Sequence, residues 1–313
     1  MGVLRAFGDE SGKEEDPNTD CISLATLIGN RAQWGVLCSL WDEMCQQHGI
    51  PYLHMKEIIQ GRITGKGPFA KFLNGNELIR LLSDATNCVL MAGLHCRAVA
   101  VLTEDLNKVI KRHQLDCDQH AFCLYLNIVM LGTWALNEYP DDPSFDLFLD
   151  KVERGHRRVG AAEELYNSDN FSAWRGWPLV VPLGKNANSR EHFELQAADL
   201  VAWSVRNEFK HLREWMRDIK PTLPPQSYER WSKSAEEWKL RELEQTSKSY
   251  PERRTFLIPW AILKDHRRLK EYIYDEERLE NHIMRGRQAY PDHRTMVKTI
   301  LRSGERPLTP SST

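Results

Sequence analysis

Val3-Leu4-Arg5-Ala6-Phe7-Gly8-Asp9-Glu10-Ser11-Gly12 is a short apolar-leaning β-type run that delivers two adjacent carboxylates into a Ser-Gly turn. Strands pack apolar side chains, so acids at a strand's end mark the mouth of a site. The same setting recurs at Asp150, which closes Phe145-Asp146-Leu147-Phe148-Leu149. A third acid, Asp199, interrupts Leu195-Gln196-Ala197-Ala198-Asp199-Leu200-Val201-Ala202-Trp203. Carboxylates that converge from strand ends and a helix interior make the oxygen-rich cage that Mg²⁺ or Mn²⁺ prefers.

Outward from this run, strands and helices alternate. Cys21 to Gly29 reads as a second strand, and residues 30–48 carry Trp34, Leu37, Cys38, Trp41, Met44 and Cys45 at helical spacing until Gly49 and Pro51 stop the helix. Residues 76–86 read as helix and 88–103 as a long strand; helices follow over 104–113 and 117–138, the latter almost wholly apolar and therefore buried. The strand ending at Asp150 comes next, then a charged helix near 156–166 and a short strand at Leu179-Val180-Val181-Pro182-Leu183. Asn188 with Glu191 three residues later marks a helix start, and that helix runs to about 210. This alternation predicts an α/β core over 1–210. Beyond it the chain is charged, helical in character and broken by Pro221, Pro224, Pro225, Pro251 and Pro259, so an all-α appendage is expected over 211–303 and a disordered tail over 304–313.

With 313 residues, 41% of them hydrophobic, and ten Trp, the chain has enough apolar material for a core, which excludes general disorder. The net charge of −2 conceals an asymmetry. Residues 1–210 hold 21 Lys+Arg against 28 Asp+Glu (−7), and residues 211–313 hold 21 against 16 (+5). An acidic body with a basic C-terminal region fits a polyanion partner, with an ordinary solvated helical surface as the plain alternative. The seven cysteines include no C-x-x-C and no Cys/His zinc spacing, and several lie in apolar runs, where Cys acts as a small hydrophobe. The N-terminus carries no basic segment followed by an apolar stretch, and no uncharged run approaches the ~20 residues of a membrane span. A reduced, cytoplasmic protein is expected.

On the helix around Asp199, Gln196 lies three residues away on the same face, with Trp203 four further on. A lone carboxylate in an apolar helical stripe is costly, so Asp199 requires a cation or a donor; a salt bridge, for example to Arg206, or exposure on a polar edge is the structural alternative. If the three acids meet, they suit two divalent ions ~3.5–4 Å apart, which activate water against a phosphodiester and stabilise the leaving oxygen.

Phe7-Gly8-Asp9-Glu10-Ser11-Gly12, Leu147-Phe148-Leu149-Asp150 and Leu195-Gln196-Ala197-Ala198-Asp199-Leu200-Val201-Ala202 together resemble the family called domain of unknown function 3800, within the RNase H-like superfamily. The resemblance covers roughly residues 1–210, and its Leu-Gln-x-Ala-Asp-Leu block is the most specific part. It implies an RNase H-like mixed sheet flanked by helices. It further implies a site for Mg²⁺ or Mn²⁺ at Asp9, Asp150 and Asp199, with Glu10 as a fourth catalytic candidate and Gln196 orienting a ligand. Ser11, His54 and Glu57 are candidates to support the ligands or touch substrate. RNase H-like sites often take a Glu from the helix after the first three strands; no acid here is clearly equivalent, and Glu57 is a better candidate than Glu43. His54 and Glu57, at i and i+3, also suit a structural pair.

Asp118-x-His120 and His156-Arg157-Arg158 suit phosphate binding, but read first as surface groups, since charge clusters usually face solvent. Trp174-Arg175-Gly176-Trp177 suits base stacking, or a loop anchored by its Trp pair. In the C-terminal third, Arg253, Arg254, Arg267 and Arg268 stand beside Tyr250 and Trp260, an interleaving that suits a nucleic-acid surface. Three functions follow: a metal-dependent nuclease on RNA, DNA or hybrid; a non-catalytic nucleic-acid- or protein-binding module on the same fold; and a metal-dependent hydrolase of a small phosphorylated molecule.

Overall fold

The computed structural model describes residues 4–12, 21–73, 75–115, 117–139, 145–149, 190–218, 259, 262–263, 266, 269–274 and 279–280. Five strands form a mixed sheet: β1 (Leu4–Ser11), β2 (Cys21–Gly29), β3 (His95–Leu102), β4 (Phe145–Leu149) and β5 (Leu269–Tyr274), in the order β4-β1-β2-β3-β5. β1, β2 and β3 are antiparallel neighbours, whereas β4 runs parallel to β1 and β5 parallel to β3. β2 is buried along its entire length, as a central strand covered on both faces must be, and its residues are mostly apolar on both sides of the pleat, with Ser23 and Thr26 as hydrogen-bonded exceptions.

Between β2 and β3 lie α1 (Arg31–Gln47), α2 (Met55–Thr64), a 3₁₀ turn (Ala70–Leu73) and α3 (Gly75–Met91). α4 (Thr103–His113) and α5 (Gln119–Glu138) join β3 to β4, and α6 (Phe193–Asp218) follows later in the chain. One core gathers Phe7, Leu27, Trp41, Leu81, Ala98 and Leu200, and so joins α1, α3 and α6 to one sheet face. The opposite face packs Ala6, Leu24, Val99 and Leu147 against Phe122 and Tyr125 of α5. Helices therefore flank the sheet on both sides. Among the described residues no helix is long and apolar enough to cross a membrane.

Local chemistry sets the element ends. Asn30 caps α1 by accepting from the Gln33 amide at 3.0 Å, while Gln33 Oε1 accepts from the Asn30 amide at 2.8 Å, a reciprocal capping box. The Trp34 indole then donates to the carbonyls of Arg5 (3.0 Å) and Gly29 (3.2 Å), which pins α1 to β1 and β2. Asp118 caps α5 through the Ala121 amide at 2.8 Å.

Three expectations require correction. The run 88–103 is not one strand: α3 continues to Met91, Gly93 turns the chain at φ 70°, and β3 begins at His95. Val89-Leu90-Met91 is a last helical turn, and a short apolar run of this kind reads equally as strand. α6 begins at Phe193 and runs to Asp218, with Arg190 and Glu191 still in a turn. The region beyond 210 is not all-α, because β5 completes the sheet beside β3. The charged letters Lys270 and Glu271 hide a strand whose neighbours Leu269, Tyr272 and Ile273 carry the β pattern. The sequence-predicted helix at 156–166, strand at 179–183 and tail at 304–313 lie outside the described residues.

Candidate active site

β1 does not end at Asp9. Its ladder with β2 continues through Glu10↔Leu24 to Ser11↔Ser23, so the two acids sit inside a strand. Successive strand residues face opposite ways, and their partners show which way. Asp9 pairs with Ala25, of the core shared with α1 and α6, whereas Glu10 pairs with Leu24, of the core shared with α5. The adjacent carboxylates are thus divided between the two faces of the sheet. On the other side of β1 the parallel ladder with β4 closes at Gly8↔Leu149. A Cβ at Gly8 would lie 2.9 Å from both Leu149 Cδ2 and Thr26 Oγ1, so only glycine allows this close approach next to Asp9. Asp9 Oδ1 accepts a 2.8 Å bond from the Glu10 amide, and Ser11 is buried.

α6 crosses the Asp9 face. Ser23, opposite Ser11, donates from Oγ to the Ala202 carbonyl at 2.7 Å, and one turn earlier on α6 stands Asp199. Asp199 is 6% exposed, and its Oδ2 accepts the Met55 amide at 2.8 Å. Met55 opens α2, whose cap residue His54 makes no side-chain cap bond. The carboxylate therefore caps α2 from another helix, where the positive end of the helix dipole favours a negative charge. Arg206 donates from Nε to the Cys21 carbonyl at 3.2 Å.

Gln196, fully buried, ties three segments together. Its Oε1 accepts from Trp41 Nε1 and from the Leu53 amide, each at 2.9 Å, and its Nε2 donates to the Arg190 carbonyl at 3.3 Å. With Asp199 it fixes the backbone of residues 53–55 onto α6.

The fixed segment carries a polar group. Glu57 accepts from Tyr52 Oη at 2.5 Å, from Arg190 Nη2 at 2.6 Å and Nε at 3.2 Å, and lies 3.3 Å from His54 Nδ1. Burial pushes the Glu57 carboxyl up, but the Tyr52 and Arg190 hydrogen bonds and the charges of Arg190 and His54 outweigh it, so its pKa falls below the ordinary glutamate value. The Arg190 guanidinium stacks 5.3 Å from the centre of the Tyr52 ring. His54 and Glu57 are thus the expected pair, within a larger cluster in which Tyr52 and Arg190 were missed. Arg190 was not legible, because it meets Glu57 across 133 positions of chain, whereas Tyr52 lies only five positions from Glu57.

On the opposite face Glu10 Oε2 lies 2.7 Å from Nδ1 of His120, which is 2% exposed at the start of α5. His120 is therefore buried against β1, not a surface group. The contact is close but poorly aligned, since Nδ1 makes no hydrogen bond of good geometry.

Asp9 and Asp199 lie over the same sheet face. Asp150, Arg253, Arg254, Arg267 and Arg268 lie outside the described residues. Among the described residues no three of His, Cys, Asp and Glu gather into a metal-holding group. Comparison with protein-family models, curated proteins and solved structures gives no match.

Proposed function

We propose that the protein is a divalent-metal-dependent nuclease whose site is formed by Asp9, Asp150 and Asp199. The observation that carries this reading is the register of β1 and β4. Leu149, the residue before Asp150, pairs in parallel with Gly8, the residue before Asp9. The sequence thus supplies an acid next after each partner of the last pair, and α6 brings Asp199 over the face to which Asp9 belongs.

The donor set fits the ion. Carboxylate oxygens are the hard ligands that Mg²⁺ and Mn²⁺ take, and two or three aspartates leave room for water and substrate oxygens. A bound ion supplies activation of water and charge stabilisation at the phosphodiester. The chain's own part is positioning. The backbone amides of Glu10 and Met55 orient Asp9 and Asp199, and Gln196 holds the segment beside them. Glu10, paired with His120 across the sheet, supports β1 from behind instead of joining the ligands.

A second reading, a non-catalytic binding module, is favoured by the structural work of Asp199 and Gln196, whose side chains accept the amides of Met55 and Leu53 and so anchor residues 53–55. Incubation of the full chain with labelled RNA, DNA and hybrid under Mg²⁺, Mn²⁺ or EDTA separates the two. The nuclease reading expects metal-dependent cleavage that Asp9→Asn and Asp199→Asn abolish while both variants stay folded. Absence of cleavage of all three polymers, or cleavage unaffected by Asp199→Asn, counts against it.

A further inference from the structure

Arg190, Tyr52, Glu57 and His54 form a group that the metal site leaves unexplained. It is tied to the helix that carries Asp199. The Leu53 and Met55 amides donate to Gln196 and Asp199, and Arg190's own carbonyl accepts from Gln196 Nε2. The Arg190 side chain is nevertheless 54% exposed. Its guanidinium is fixed on two sides, by stacking over Tyr52 and by Nε and Nη2 converging on one oxygen of Glu57.

A mobile surface arginine loses side-chain entropy when it grips a ligand; one already held by a ring and a carboxylate loses far less. A guanidinium carries planar N–H donors whose charge and geometry match phosphate oxygens, and here Nε and Nη2 donate to Glu57. Glu57 stays ionised, because the same contacts lower its pKa, so the brace persists at neutral pH.

We infer that Arg190 is a substrate-contacting residue that grips a backbone phosphate of the nucleic-acid strand beside the aspartates, with Tyr52 and Glu57 as the positioning residues that aim it. The inference rests on the nuclease reading and names its substrate contact. A nucleic-acid phosphate is favoured over a small phosphate ester because the Arg190 side chain stands at the surface, 54% exposed.

The test is equilibrium binding of a fluorescent single-stranded oligonucleotide to the full chain in EDTA, across a salt series. Wild type, Arg190→Ala and Arg190→Lys are compared after melting curves establish that each is folded. Loss of one phosphate contact lowers the slope of log affinity against log salt by about 0.7, and loss of a charged hydrogen-bonding group weakens binding roughly tenfold. Arg190→Ala should show both changes. Arg190→Lys keeps the cation, so it should keep the slope while losing affinity, and it serves if the alanine variant does not fold. Unlabelled oligonucleotide should displace the probe where a mononucleotide or inorganic phosphate does not. Displacement by the mononucleotide at equal concentration overturns the polymer assignment. Wild-type affinity and slope in Arg190→Ala, with cleavage intact in the wild type, overturn the role of Arg190 alone. A wild type that neither binds nor cleaves any polymer overturns the nuclease reading beneath it.

Discussion

Gln196 and Asp199 each join the chemistry of the site to the stability of the fold, and single substitutions distinguish the two contributions. Gln196→Ala leaves the Trp41 indole and Leu53 amide buried without their acceptor, at about 1–3 kcal/mol each, so chemical denaturation should register a loss of roughly 2–6 kcal/mol. A loss below about 1 kcal/mol would mean that the tie is replaced by water. Asp199→Asn retains an oxygen for the Met55 amide and should cost less than Asp199→Ala, which leaves the first amide of α2 uncapped. Equal stabilities for the two would remove the capping role. Glu57 gives a pH signature. Its folded pKa is lowered, so the stability it contributes is present above its unfolded pKa and is lost as pH falls through the folded value. Melting temperatures of wild type and Glu57→Gln should therefore differ at neutral pH and converge in acid; parallel profiles would show that Glu57 titrates alike in both states. Burial raises the Cys45 thiol to about 12 and that of Cys88 to about 11, so neither should be alkylated at neutral pH before unfolding, as mass spectrometry of labelled protein would show.

At the scale of elements, the close approach of β1 and β4 depends on Gly8. Gly8→Ala puts a methyl group against Leu149 Cδ2, which can swing aside, and against Thr26 Oγ1, which is held by its 2.6 Å bond to Asn127. Overpacking of this kind costs about 1–3 kcal/mol, and it should impair metal binding as well as stability, because the clash lies next to Asp9. A variant as stable as wild type with unchanged metal affinity would show that the strands part freely. The paired strands and flanking helices were legible because their periodicities are local: Trp34, Leu37, Trp41 and Met44 declare a buried helix face, and Cys21 to Gly29 a strand. The division of Asp9 and Glu10 between faces was equally latent in the strand period, yet it becomes decisive only once Ala25 and Leu24 are known as partners. Composition misled where it could not distinguish a helix end from a strand, at Val89 to Met91, and where a charged neighbourhood masked β5. Arg190 and His120 were beyond reach, since each meets its acid only through tertiary packing.

For the whole molecule, the acidic first two thirds (−7) and basic last third (+5) invite a division into a chemical core and a binding appendage. The fold joins them. Leu269 in β5 and the fully buried Leu263 and Leu279 sit in the cores on both sides of the sheet. Each buried leucine contributes about 1.5–3 kcal/mol, so removing three approaches the ~5–15 kcal/mol by which a typical domain is stable. Truncation near residue 211 should thus give aggregation or loss of cooperative melting, because it also bares the edge of β3. A soluble, cooperatively melting fragment would restore the independent appendage. Phosphate contacts by the basic region are better tested in the full chain, by neutralising Arg253, Arg254, Arg267 and Arg268 and following the salt dependence of oligonucleotide binding. The central claim, that Asp9, Asp150 and Asp199 together hold divalent metal, is tested most directly by calorimetric titration of Mn²⁺ into wild type and into Asp9→Asn, Asp150→Asn and Asp199→Asn. The account predicts saturable binding by wild type and a loss of tenfold or more, about 1.4 kcal/mol, in each variant; binding by Asp150→Asn equal to wild type, or none by wild type at millimolar metal, would contradict it.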